Sequence, residues 1–185
     1  MSTFYITVML GLVAVSGLVL FVRQKLAKLR GSVKQNWAPV QRQLERRNEI
    51  IRKIAEMAEG QVGANDPNAI DDVFSLLDTL GSDLALETQV EFENRLTHSV
   101  RRLLQVGDSN YELRKNTQYW DAKRYLAEAD LAVTQSARFY NVSAKEYNEV
   151  RNAVPCVLFA EYLGFGKQPY LATSLTESEA PEFGR

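Results

Sequence analysis

Residues 115–154 read KNTQYWDAKRYLAEADLAVTQSARFYNVSAKEYNEVRNAV, and every seventh position from Tyr119 is large and apolar: Tyr119, Leu126, Val133, Tyr140, Tyr147 and Val154. An unbroken ladder at this spacing predicts one long helix, from about Lys115 to Val154, with a coiled-coil type of seam. Ala122 and Ala129 beside the seam let a neighbouring helix approach closely. One seam cannot bury itself. Partner helices are therefore needed, and the flanking sequence supplies them.

Upstream, Leu26, Leu29, Val33, Trp37, Val40, Leu44, Ile51, Ile54 and Ala58 recur at spacings of three and four. The one missing step falls on Arg47, a charge where the seam expects an apolar side chain. Pro39 sits inside this pattern, removes a helical hydrogen bond and predicts a kink around residues 35–38. Turn chemistry from Gly60 to Pro67 ends the helix. Residues 68–106 form a second helical region, expected to lie antiparallel to the first. Gly81-Ser82-Asp83 is a candidate break within it, and Gly107-Asp108 its end. Beyond the ladder, Pro155 interrupts and a short apolar helix follows to Leu163, closed by Gly164. From Thr173 the composition is that of a disordered tail, 173–185. No strand pattern competes with these helices.

The chain opens with 22 residues that carry no charge, and four basic residues follow within the next eight: Arg23, Lys25, Lys28 and Arg30. About 20 apolar residues at 1.5 Å rise match the roughly 30 Å hydrocarbon core of a bilayer. The basic residues follow the apolar run and no small-residue cleavage site precedes them, so residues 1–22 read as an anchor rather than a removed leader. The positive-inside rule then places the N-terminus outside and residues 23–172 in the cytoplasm. The expected fold is all-α: a single transmembrane helix followed by an antiparallel up-down four-helix bundle with long coiled-coil-like helices.

Charge is distributed as a gradient. Residues 23–53 carry ten basic and two acidic side chains, and residues 54–100 carry one basic and ten acidic. Two helices of opposite charge lying together explain this better than nucleic acid, which is not an expected partner. The membrane-proximal Arg23, Lys25, Lys28 and Arg30 lack such a helix, and an anionic leaflet would stabilise each by about 1 kcal/mol. The single cysteine, Cys156, excludes an internal disulfide and lies in an apolar run that suits a buried inert thiol. The single histidine, His98, has no Glu three residues before it, so the Glu-x-x-His pattern of carboxylate-bridged metal sites is missing. No metal, cofactor or catalytic residue set is expected, and Gly164-Phe165-Gly166 is too short to cradle a phosphate.

Several of these stretches together resemble the LemA family. Trp37, Gln43-Leu44 and Arg46-Arg47 before paired aliphatics are similar to its first signature. Ala137-Arg138-Phe139-Tyr140-Asn141, with Tyr147-Asn148 and Val154-Pro155, resembles the central and most specific one. Leu163-Gly164-Phe165 with Pro169-Tyr170 resembles the closing one, and Tyr111, Leu113 and Tyr119-Trp120 fit the segment between. The resemblance spans roughly residues 4–171. It departs at Pro39 and at Ile50-Ile51, which runs into Arg52-Lys53 instead of a proline and asparagine. The resemblance implies a bacterial single-pass membrane protein with a short outer N-terminus and a cytoplasmic four-helix bundle. A branch of the family occurs in bacteria that build magnetosomes, which makes an intracellular organelle membrane the alternative location.

Two functions remain open on these residues. A non-enzymatic, membrane-anchored scaffold would bind protein partners or organise the membrane, with homo-oligomers among its forms. A receptor or enzyme-like bundle would use a polar interior, for which Arg47, Arg138, Asn141 and Asn148 are the candidates. The competing account of those four is that they fix helix register. A seam position also predicts that Arg47, rather than Arg46, meets Glu87 or Glu91 across the first two helices.

Overall fold

A computed structural model describes residues 2–62 and 67–172 of the chain, so the predicted tail 173–185 and much of the predicted turn before Pro67 lie outside the described residues. Six helices follow in order: α1 Ser2–Val62, α2 Pro67–Leu80, α3 Leu86–Ser109, α4 Tyr111–Lys115, α5 Thr117–Asn152 and α6 Cys156–Phe159. No strand occurs among the described residues. Pro39 lies inside α1, which is helical on both sides of it. The described residues fall into two compact units. The first takes α1 up to Gln35 together with Val142–Gln168, and the second takes Asn36–Asn141 together with the residues from Pro169 onward.

In the second unit the predicted seams are the core. Ile51, Ile54 and Ala58 of α1 cluster with Ile70, Val73 and Leu77 of α2, Leu96, Val100 and Leu103 of α3, and Tyr119 and Leu126 of α5. Trp37 and Tyr140 meet edge to face, ring centroids 5.0 Å apart, a geometry the aromatic quadrupole favours. The region 68–106 is two helices, not one, and the break falls at the Gly81–Asp83 candidate. Cross-links show its consequence. Trp37 Nε1 donates to Gln89 Oε1, Arg47 Nη2 to Thr97 Oγ1, and Asn110 Nδ2 to the Gln61 carbonyl. Numbers rise together on both sides, so α3 runs in the same direction as α1 and the antiparallel expectation for this segment is corrected. A chain that reverses at both ends of α2 returns to its first heading. α5 runs against α1, since Trp37 faces Tyr140 and Arg47 faces Asp130.

Two asparagines build the corner into α5. Asn110 Oδ1 accepts from the amides of Glu112 and Leu113, and Asn116 Oδ1 from those of Gln118 and Tyr119, the N-cap pattern that satisfies otherwise orphaned donors. Gly107, expected to end a helix, lies within α3 instead. Its lack of a side chain admits the Tyr119 ring, whose hydroxyl would collide with any Cβ placed there. That hydroxyl donates to Asp108 Oδ1 at 3.2 Å, and Lys123 Nζ donates to the same carboxylate.

In the first unit Val22, Leu26 and Val33 of α1 are buried, as are Ala144, Tyr147, Cys156, Ala160 and Phe165. The ladder of α5 ends one step early, because Val154 is 79% exposed beyond the helix end at Asn152. The apolar stretch after Pro155 is only partly covered: Phe165 is buried, but Leu158 is exposed. Gly164 takes φ +74°, the left-handed value that glycine adopts without strain.

Tyr119 is fully buried, so it has nowhere to retreat from an added methyl. Gly107→Ala is expected to destabilise the second unit by about 1–3 kcal/mol, the usual range for overpacking. A melting temperature equal to wild type would show that α3 and α5 pack less closely than described.

Candidate functional site

The missing step in the α1 seam is filled by a buried guanidinium. Arg47 is 4% exposed, and each of its nitrogens faces a partner on another helix. Nε donates to Asp130 Oδ1 of α5 at 2.6 Å, Nη2 to Thr97 Oγ1 of α3 at 3.0 Å, and Nη1 lies 3.5 Å from Glu93 Oε2 of α3. Glu93 is itself 1% exposed and takes a second contact at Oε1 from Asn48 Nδ2 at 2.8 Å. The expectation that Arg47 rather than Arg46 crosses the seam holds in position: Arg46 is exposed. Its partners differ from Glu87 and Glu91. An antiparallel α3 would set Glu87 and Glu91 near that level; with α3 parallel to α1, Glu93 and Thr97 stand at the level of Arg47.

Burial raises the Glu93 pKa above its ordinary value, and the Asn48 hydrogen bond and the Arg47 charge partly oppose that rise. Its Oε2 makes no hydrogen bond. A buried carboxylate with a raised pKa is a feature of catalytic acids as well as of structural networks. Access separates the two. A cavity of about 210 Å³ opens beside the network, lined by Arg47, Thr97, Arg101, Asp130 and Thr134 among others, and Glu93 does not line it. The Glu93 carboxylate faces Asn48 and Arg47 instead of that cavity.

The other candidates do not join this cluster. Arg138 is exposed on α5. Asn141 and Asn148 hold the C-terminal segment by its backbone. In the first unit, Asn148 Nδ2 donates to the Gln168 carbonyl while its Oδ1 accepts the Gln168 amide, at 2.8 and 2.9 Å. Tyr147 Oη donates to the Gly166 carbonyl and Arg151 Nε to that of Phe165. In the second unit, Asn141 makes the same two-way pair with Leu171, both at 3.0 Å, and Tyr140 Oη donates to the Pro169 carbonyl at 2.7 Å. Asn94 of α3 adds a third amide, donating to the Tyr170 carbonyl and accepting from the Ala172 amide. Each asparagine presents a donor and an acceptor side by side, as a neighbouring strand would. Burial first, then the nearby Glu87 and Tyr170, raises the Tyr140 pKa, so its hydroxyl remains a donor.

Sequence reasoning missed Glu93, Thr97, Asp130, Asn94 and Arg151. Asp130 directly follows Ala129, one of the small residues beside the seam, and that adjacency was its one available signal. Asn94 and Arg151 left none, because the contacts that tie them to the C-terminal segment are to main-chain atoms of irregular structure. Among the described residues, no group of three His, Cys, Asp or Glu side chains is gathered tightly enough to hold a metal ion.

Helices alone among the described residues, one of them long and apolar enough at its N-terminal end to cross a membrane, define the class of protein. The family follows from the sequence match: the model of the LemA family covers residues 36–183, and the chain belongs to that family. The matched range contains the Arg47 cluster and every asparagine that grips the C-terminal segment. No curated protein matches the chain.

Removing Arg47 leaves Glu93 charged and buried, which typically costs about 3–5 kcal/mol. A raised folded-state pKa means that the Glu93 contribution to stability is present below the ordinary carboxylate value and is lost as pH rises through the elevated one. Arg47→Met is therefore expected to lose most stability at neutral pH and to regain part of it in mild acid. Adding Glu93→Gln should restore stability at neutral pH and flatten the pH dependence. Thermal melts of the three variants across pH check this, and equal losses at every pH would contradict it.

Proposed function

We propose that the chain is a single-pass membrane protein with its N-terminus outside and its helical domain in the cytoplasm. The helices there form an up-down four-helix bundle that serves as a protein-interaction or membrane-organising scaffold rather than as an enzyme. One observation carries the membrane part of this reading. From Tyr5 to Phe21 the apolar side chains of α1 are exposed almost without exception, Met9 by 65% and Val13 by 68%. Apolar surface on this scale is stable only against other apolar matter, and a lipid core fits a helix of this length. The basic residues from Arg23 onward support the orientation.

The scaffold part is supported by where the polar side chains go. Arg47 is engaged by Asp130, Thr97 and Glu93, while Asn141 and Asn148 are engaged by main chain. Three of the four residues that a ligand-binding interior required are thus occupied by the protein itself. The 210 Å³ cavity favours the second reading, a receptor for a small polar molecule. Its volume is below the usual 300–1,000 Å³ of ligand pockets.

A reporter fused after Arg185 is expected to behave as cytoplasmic, and the chain to resist alkaline extraction from membranes. Periplasmic reporter activity would overturn the orientation. Capture of the solubilised chain should bring down stoichiometric protein partners. A chain that returns alone with a bound small molecule would move the balance to the receptor.

A further inference from the structure

The basic residues at the membrane end of α1 are not one cluster. Arg23, Ala27, Arg30, Gly31 and Lys34 follow one another at spacings that stack on a single helix face, and all five line a groove of about 670 Å³ in the first unit. Lys25 and Lys28 lie on other faces and do not line it. The opposite wall is the corner after α6, through Tyr162, Leu163 and Phe165. This corner carries an unusual surface. Tyr162 is 93% exposed, and Val154, Val157 and Leu158 are exposed with it. Its acidic residue, Glu161, is held by Arg151 at 3.4 Å. A groove therefore has cations on one wall, an aromatic and aliphatic rim on the other, and Arg23, one residue past the apolar run, at its end.

We propose that this groove seats the phosphate of an anionic phospholipid, with Val154, Val157, Leu158 and Tyr162 resting in the interface of the same leaflet. The inference rests on the single-pass reading above. Charge complementarity and continuity with the apolar helix select this occupant. Arg23 and Lys34 stand about 16 Å apart along the helix axis, so a phosphate seated between them lies in the field of cations on both sides, and the acyl chains leave toward the exposed apolar face of α1. Tyrosine suits the headgroup level, where its ring is covered and its hydroxyl stays wet. The bilayer would thereby be gripped at two points, by the anchor and by the corner after α6.

The full chain is reconstituted in vesicles of equal phosphatidylcholine and phosphatidylglycerol, released into detergent, and its retained lipids are read by native mass spectrometry. Wild type should retain phosphatidylglycerol in preference. Arg23→Ala with Lys34→Ala should lower that retention by roughly tenfold or more, at about 1 kcal/mol per cation near the surface. The charge-matched pair Lys25→Ala with Lys28→Ala should change it by no more than about twofold, since neither residue faces the groove; a diffuse leaflet attraction would weigh both pairs alike. Gly31→Leu keeps every charge and fills the groove, and a Cβ there meets no other atom within 4 Å. It should lower retention while leaving the melting temperature intact. Equal losses in the two lysine and arginine pairs, no lipid preference, or displacement of the lipid by soluble glycerol phosphate would each overturn the seat. A chain that enters the vesicles and shows no preference overturns the seat alone. One that does not enter them overturns the single-pass reading as well.

Discussion

A polar group buried in a helical protein must find its partner within the chain, and that constraint governs the second unit of this molecule. Arg47 replaces an apolar side chain in the α1 seam, so the surrounding helices must supply acceptors at its level. α3 supplies Glu93 and Thr97, and α5 supplies Asp130. A slide of either helix by one turn, about 5.4 Å, would leave a buried charge unpaired. The guanidinium thus sets the register of three helices at once. The apolar seams supply the larger burial energy, but they are less selective, since leucine packs nearly as well one step along.

The same constraint explains the C-terminal segment. Residues 165–172 are neither helix nor strand, so their amides and carbonyls have no regular partners. Side chains of α5 and of Asn94 take that role, and asparagine suits it because donor and acceptor share one planar group. The central signature Ala137–Asn141 with Tyr147-Asn148 now has a physical account within each unit: Tyr140 and Asn141 hold residues Pro169 and Leu171, while Tyr147 and Asn148 hold Gly166 and Gln168. Phe165, Gln168 and Leu171 are buried. The residues between them are largely exposed.

The helical class, the seams of α1 and α5 and the break at Gly81–Asp83 were legible because periodicity and turn chemistry are local properties. The buried position of Arg47 was legible for the same reason, as a gap in a pattern. Its partners were not. They depend on the heading of α3, which depends on whether one short helix or none intervenes, and a weak Gly-Ser-Asp signal decides that. Gly107 read as a helix end, but it marks a close approach by the ring of Tyr119, which lies on α5. Asn141 and Asn148 read as candidate ligand contacts since a polar residue on a core face looks alike whether it serves a ligand or the chain's own backbone. The division of the cations after the apolar run into two faces was present in the spacing of residues 23–34, but that the face of Arg23, Arg30 and Lys34 lines a groove opposite Tyr162 depends on the packing of the corner after α6.

The central claim is that the polar residues of the signature stretch hold the chain to itself. Hydrogen exchange at the backbone amides of Gln168 and Leu171 tests it most directly. Both amides donate to asparagine side chains, so in the wild-type chain they should exchange slowly, on the scale of the helix core. Asn148→Asp keeps the acceptor and loses the donor, setting a carboxylate against the Gln168 carbonyl; exchange at Gln168 should then rise toward that of an open segment. Rapid exchange at both amides in the wild type would contradict the account, leaving Asn141 and Asn148 available to a ligand.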